Sequence, residues 1–172
     1  MELKGKRIIV LAEDNYQELE LWYPLLRMKE AGAEVLVAGS GRTETHKSKN
    51  GYPVKIDVKA EDVNPADIDA VIVPGGYAPD IMRVVPGMLS LVKGAAEQGK
   101  VVAFICHAAW VLISAGVVKG KTMTSVQSIK DDVINAGAKW VDESVVVDGN
   151  MISSRRPPDL PDFCRAIIEK LK

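Results

Sequence analysis

Lys100-Val-Val-Ala-Phe-Ile-Cys106, followed at once by His107 and then by Ala108-Ala-Trp-Val-Leu-Ile-Ser-Ala115-Gly116, is the stretch that decides the fold. Its first part is a continuous apolar run of strand length, which reads as a strand buried on both faces. Its second part has the length and composition of a helix and stops at a glycine, the residue that best tolerates the left-handed backbone of a helix end. Almost no loop separates the two, so the chain must turn sharply at Cys106.

The same alternation continues on both sides. Arg7-Ile-Ile-Val-Leu-Ala12 predicts a buried strand, and 17–31 a helix with Leu19, Trp22, Tyr23, Leu26 and Ala31 near helical spacing, stopped by Gly32. Glu34 to Ala38 and Asp69 to Pro74 predict two more buried strands, whereas Tyr52 to Val58 alternates apolar and polar like an exposed one. Helices are expected over Met88–Glu97, Ser128–Ala136 and Leu160–Leu171, a short strand near Met123, and strands from Trp140 to Ile152 turning at Asp148-Gly149. Polar Gly41–Gly51, bracketed by glycines, predicts the most flexible loop. Strands apolar on both faces and alternating with helices require a mostly parallel sheet covered on both sides, because every parallel connection must cross over it. The expected architecture is a doubly wound α/β fold. Without a repeat or linker, residues 1–172 are expected to form a single domain, a size that buries roughly two-thirds of the unfolded surface.

Composition narrows the function. The 22 basic and 23 acidic side chains leave a net charge of −1 with no long run of either sign, so neither nucleic acid nor a membrane is expected as a partner. The apolar runs are strand-sized, and the charged N-terminus enters the first of them without a cleavage-type site, so a cytoplasmic location is expected. Cys106 and Cys164 make no disulfide framework, and with His46 and His107 they show no metal-ligand spacing. Phosphate-binding glycine motifs and the Gly-x-Ser-x-Gly elbow are absent. No metal and no cofactor are therefore expected.

In open parallel sheets, ligands bind beyond the C-terminal ends of the strands, near a topological switch point. Two segments fall there. Pro74-Gly75-Gly76 allows close backbone approach and exposes N–H donors, and Ile105-Cys106-His107 places a thiol on a sharp strand-to-helix turn like that of other nucleophile elbows. A free thiol with a pKa near ~8.5 is only a few per cent ionised at pH 7, and lowering it by two units needs about 2.7 kcal/mol of preferential stabilisation of the anion. The neighbouring histidine, a helix N-terminus and backbone N–H groups are the available sources, so a depressed thiol is expected. His107 is the better partner for Cys106, since His46 lies in the polar loop.

The strings Glu18-Leu-Glu20-Leu-Trp-Tyr-Pro24, Pro74-Gly-Gly-Tyr-Ala-Pro79, Ile105-Cys-His107, Ser114-Ala-Gly-Val117, Ile129-Lys-Asp-Asp-Val-Ile-Asn-Ala-Gly137 and Val147-Asp-Gly-Asn150 followed by Ser153-Ser-Arg155 together resemble the PfpI family of intracellular cysteine proteases. This is a branch of the ThiJ/PfpI superfamily, which includes the Parkinson's-associated deglycase. The resemblance runs the length of the chain and implies a flavodoxin-like sheet. It implies Cys106 as nucleophile, His107 as its neighbour, Glu20 as the helix glutamate that hydrogen-bonds the sulfur, and oxyanion donors in the N–H groups of Gly76 and His107. Gly75 and Arg155 join the implied oxyanion and substrate-binding set. Asp80 matches a glutamate that reaches the histidine across a subunit boundary, so a homo-oligomer, dimer or hexamer, is implied as well. The usual Cys-His-Gly-Pro is Cys106-His-Ala-Ala109 here, and a pocket tyrosine is replaced by Val126. A protonated Glu20 could donate to the sulfur, and its own pKa would then be raised.

The expected function is a cysteine-dependent hydrolase of peptidase type acting on a peptide or a small-molecule carbonyl substrate. The alternatives are a deglycase or glyoxalase acting on methylglyoxal adducts, and a non-catalytic sensor of oxidation through Cys106. A glutamine amidotransferase needs a histidine after the elbow, and none follows His107.

Overall fold

The computed structural model describes residues 1–172. Strand β1 (Arg7–Leu11) leads through helix α1 (Glu18–Glu30) to β2 (Glu34–Gly39), and a hairpin of β3 (Thr45–Lys47) and β4 (Pro53–Lys55) precedes β5 (Val58–Lys59). After β6 (Ala70–Val73) come α2 (Ala78–Met82) and α3 (Pro86–Glu97), and after β7 (Val101–Ile105) comes α4 (Ala109–Ser114). The chain ends with β8 (Thr122–Met123), α5 (Lys130–Asn135), β9 (Lys139–Trp140), β10 (Val145–Asp148), β11 (Met151–Ser154) and α6 (Leu160–Leu171).

Seven strands form one sheet in the order β10-β11-β7-β6-β1-β2-β5. Every pairing in it is parallel except the β10–β11 hairpin, where Asp148 faces Met151 across the turn Gly149-Asn150. Ile8 to Leu11 and Ala70 to Val73 are fully buried, as the continuous apolar runs predict for strands covered twice. Helix α1 packs against α6, and α3 against α4, so different helix pairs cover the sheet. Fifty apolar residues form one continuous core cluster. No helix is long and apolar enough to cross a membrane.

Three expectations are corrected. Helix α1 buries Leu21, Leu25 and Met28, while Leu19, Tyr23 and Leu26 of the apolar stripe face outward with Tyr52. Two apolar stripes lie on this helix, and the sheet takes the one that also carries Glu20. The exposed strand expected over Tyr52–Val58 is split, because Ile56-Asp57 separates β4, paired with β3, from β5, paired with β2. The loop expected over Gly41–Gly51 contains β3 and a fully buried side chain, His46. Its Nδ1 lies 3.0 Å from Glu13 Oε1 and 3.1 Å from Asp14 Oδ1, and Arg42 reaches the same Glu13 oxygen at 2.7 Å. Glu13 and His46 are the buried members, and Arg42 and Asp14, both partly exposed, give each a partner of opposite charge that makes its burial tolerable. Burial opposes it, but hydrogen bonds from His46, Ser40, Asp14 and Arg42 hold Glu13 down at about 2.

Candidate active site

Three strand ends converge at the centre of the sheet: 12–17 after β1, Pro74-Gly75-Gly76 after β6, and Cys106 after β7. They are tied together by backbone bonds, with Gln17 N–H donating to Gly75 C=O (3.2 Å) and Tyr77 N–H to Asn15 C=O (2.9 Å). Cys106 has φ +64°, a left-handed conformation that a non-glycine residue holds at a cost of about 1–3 kcal/mol. A single 3₁₀ turn, Cys106–Ala108, then feeds directly into α4. The elbow read from the sequence is present.

Glu20, fully buried in the first turns of α1, accepts a hydrogen bond from Gly75 N–H through Oε2 at 2.9 Å. Its Oε1 has no well-formed hydrogen bond, and the group that the carboxyl meets is the Cys106 thiol. Glycine is required at 75, since a Cβ there would lie 2.4 Å from Glu20 Oε2 and 2.7 Å from Cys106 Cβ. At Gly76 (φ +80°) it would strike Gln17 N at 2.5 Å. Gln17 caps the helix, its Oε1 accepting from Glu20 N–H at 2.9 Å.

Burial raises the Glu20 carboxyl to about 7, against the Gly75 N–H that favours the anion. The thiol does not behave as expected. Burial, followed by the charge of Glu20, pushes Cys106 up to about 12, although the N–H groups of His107 and Gly76 point at the sulfur and favour the thiolate. Burial is the larger cause, and an ionised Glu20 beside the sulfur adds like-charge repulsion.

His107 Nδ1 stands 3.4 Å from Cys106 Sγ, and its Nε2 lies 3.3 Å from Ser128 Oγ. Burial lowers its pKa, so the ring is neutral near pH 7 and can accept the thiol proton. Tyr77 and Trp110 flank it, with ring centroids 6.4 and 5.1 Å away, and Trp110 is held by its Nε1–H bond to Asp132 at 2.8 Å. The cavity over the sulfur has a volume of about 180 Å³ and is lined by Gln17, Glu20, Lys49, Gly76, Tyr77, Cys106, His107 and Pro157.

Cys106, His107, Glu20, Gly75 and Gly76 thus come together. Arg155 does not line the cavity, and its guanidinium is engaged by Asp159 (2.9 Å) and Asp142 (2.8 Å). Asp80 is exposed on α2 and its carboxylate bonds nothing in its own chain, and within the chain His107 Nε2 meets Ser128. Ser128, Gln17 and Lys49 escaped the sequence reading because polar residues in turns carry no periodic signal. Cys164 is buried in α6, as expected of a core thiol.

A family model described as DJ-1/PfpI family matches residues 6–170. The deglycase TK1284 of Thermococcus kodakarensis is 46% identical over 166 residues, covering 96% of this chain and 99% of the relative. Bacillus subtilis YraA, whose name places it provisionally among cysteine proteases, is 38% identical over 168 residues, covering 98% and 99%. Among solved structures, DJ-1beta of Drosophila melanogaster superposes with a TM-score of 0.90 at 31% identity, over 96% of this chain and 90% of that one. A two-domain Anabaena variabilis protein with DJ-1/ThiJ/PfpI-like and ferritin-like domains gives 0.95 at 41% identity, over 97% of this chain but only 48% of its own.

Proposed function

The chain belongs to the DJ-1/PfpI family, and we propose that it is a cysteine-dependent enzyme acting on small carbonyl compounds, in the manner of a deglycase. The observation that carries this reading is the company of Cys106 in a cavity of about 180 Å³, with a neutral histidine and a carboxyl poised near pH 7. That volume is below the range of sites for drug-sized ligands and suits a few heavy atoms better than an extended peptide.

In the proposed first step the sulfur adds to the carbonyl carbon. The S–C bond forms, the C=O π pair moves onto oxygen, and the thiol proton passes to His107 Nδ1. The N–H groups of Gly76 and His107, already directed at the sulfur, stabilise the oxyanion on the adjoining atom. For a hemiaminal adduct the C–N bond breaks as the S–C bond forms, and the amine leaves with the thiol proton relayed by His107, giving the same thiol adduct as the free α-oxoaldehyde. Moving the former aldehyde-carbon proton to the neighbouring carbonyl carbon then converts that adduct to a thioester of a 2-hydroxy acid, which water releases without any outside oxidant. Glu20, at about 7, is matched to that proton transfer.

The test compares Cys106→Ala and wild type on methylglyoxal adducts of amines and on fluorogenic peptides. Loss of adduct turnover in the variant, with negligible peptide cleavage by either, supports the proposal. Retained adduct turnover in the variant refutes it, and cysteine-dependent peptide cleavage alone transfers the assignment to the peptidase reading suggested by YraA's name. We also propose self-association through the exposed stripe Leu19, Trp22, Leu26 and Tyr52, a contiguous apolar patch of the kind that marks interfaces. Light scattering should give a multiple of 18.6 kDa at micromolar concentration, and Leu26→Glu should reduce it to one chain.

A further inference from the structure

One residue at the mouth of the cysteine cavity has no role in the chemistry above. Lys49 occupies the turn of the β3–β4 hairpin and lines the cavity with Cys106. Its backbone is fixed. Lys49 N–H donates to Tyr16 C=O at 3.0 Å, and the flanking residues are pinned to the first turn of α1, where Glu18 Oε1 accepts from Ser48 Oγ at 2.5 Å and from Asn50 N–H at 3.2 Å. The ammonium enters none of the chain's ion pairs. Its charge acts on the Glu20 carboxyl and favours its anion. No other lysine or arginine lines this cavity. Beside it stands Gln17, whose side-chain oxygen is occupied by Glu20 N–H while its amide N–H groups have no partner in the chain. A lysine whose backbone is fixed at the rim and an amide donor beside it offer a carboxylate an opposite charge and a hydrogen bond.

We infer that Lys49, together with Gln17, selects substrates that carry a carboxylate close to the reactive carbonyl, the chemical class represented by a carbonyl adduct on the amino group of a free amino acid. An adduct on a lysine side chain within a protein has no carboxylate at that distance and gains nothing from this rim. The inference rests on the proposed carbonyl chemistry, yet its electrostatic core can be measured without turnover.

Iodoacetate and iodoacetamide are near-isosteric alkylating agents that differ by one negative charge. Both consume the same thiolate, so the ratio of their rates reports the potential met by an anion approaching Cys106, independently of how far the thiol is ionised. In Cys164→Ser protein, Lys49→Met should lower the iodoacetate-to-iodoacetamide ratio at least threefold, Lys49→Glu should lower it further, and Lys49→Arg should keep it within twofold of the parent. Raising the salt concentration should shrink the effect, as for any partly exposed charge. A ratio unchanged in Lys49→Met overturns the inference, whatever the enzyme's activity. Failure of Cys106→Ala to abolish adduct turnover would overturn the function reading alone and leave the ratio untouched. If both stand, Lys49→Met should raise KM for methylglyoxal adducts of free amino acids and leave that of their amides unchanged. Equal effects on acid and amide would confine Lys49 to positioning the hairpin and refute selection.

Discussion

Replacing Glu20 by Gln isolates the charge that, after burial, most affects the Cys106 thiol. Glu20 Oε2 and Cys106 Cβ both lie within 2.7 Å of the point where a Gly75 Cβ would sit, so the carboxyl and the thiol are close neighbours. At a separation of about 5 Å and an effective dielectric constant of about 20, a unit charge opposes a second one by about 3 kcal/mol. At 1.36 kcal/mol per unit, that equals roughly two pH units in the thiol. Above pH 7 the wild-type carboxyl is ionised and the thiol stands at about 12. Glutamine keeps the shape and removes the charge, so the thiolate fraction at pH 8 should rise about a hundredfold. Iodoacetamide alkylation in Cys164→Ser background, followed by intact mass from pH 6 to 10, reads this directly. An increase of at least tenfold in the variant at pH 8 is expected. A slower reaction in Glu20→Gln would refute the reasoning, because the carboxyl would then be acting on the sulfur as a proton donor rather than as a charge. Turnover should fall even as alkylation speeds up, since the amide cannot carry the proton between carbons.

Four further outcomes follow from the backbone geometry and the buried ion pairs. Gly75→Ala should cost about 1–3 kcal/mol in chemical denaturation, as overpacked sites do, and should displace Glu20 enough to change the alkylation profile, because the new methyl falls 2.4 Å from its carboxylate. Cys106→Gly should be more stable than Cys106→Ala by about 1 kcal/mol in thermal unfolding, since both lack the thiol and only glycine relieves a φ of +64°. His46 titrates with a raised pKa, because Glu13 and Asp14 outweigh its burial. Its stabilisation relative to His46→Asn should therefore be complete below its unfolded value of about 6.5 and decline as pH rises through the higher folded value. Glu13, held at about 2 against an ordinary 4.5, should show the opposite trend, with its contribution lost as acid approaches pH 2. Urea midpoints across pH 3 to 9 would check both signs.

The strands were legible because burial on both faces leaves no polar position to disguise them: Ile8 to Leu11 and Val101 to Ile105 stand in the sheet almost as their apolar runs indicate. Cys106 was legible for the same reason, as the point where such a run meets a helix without a loop. Helix α1 was harder. Its stripe of Leu19, Trp22, Tyr23 and Leu26 looks like a core face, and periodicity cannot tell which of two apolar stripes meets the sheet. Composition also concealed the hairpin of β3 and β4, since a polar segment reads as a loop until Glu13 and Asp14, about thirty residues away in sequence, supply partners for His46. The thiol's direction was missed because its dominant causes, burial and the Glu20 charge, are both properties of packing. Arg155 was placed at the site by resemblance, and in the structure its nearest acids, Asp142 and Asp159, claim it first.

The left-handed residues Asn15 (φ 65°), Gly76 (φ 80°) and Cys106 (φ 64°) all lie at the three strand ends that meet over the cavity, and the first two are joined through Tyr77 N–H and the Tyr16–Gly76 bridge. Such conformations persist only where the surroundings over-determine them. Here the sheet fixes the origin of each segment, and backbone bonds tie 15–17 to 75–77 while pairing of β6 with β7 fixes the start of the Cys106 turn. That rigidity has a chemical use. If either the Cys106 thiol or the Glu20 carboxyl could turn toward water it would move back to its ordinary pKa, and a carboxyl at 4.5 would no longer hold a proton near pH 7. Held face to face and away from water, they disfavour a second negative charge in the site. In the proposed reaction the sulfur would stay a thiol, the less oxidisable and less nucleophilic form, until a carbonyl carbon arrives and His107 Nδ1 takes the proton as the S–C bond forms. On this account the strained elbow serves less to ionise Cys106 than to withhold its ionisation until substrate is present.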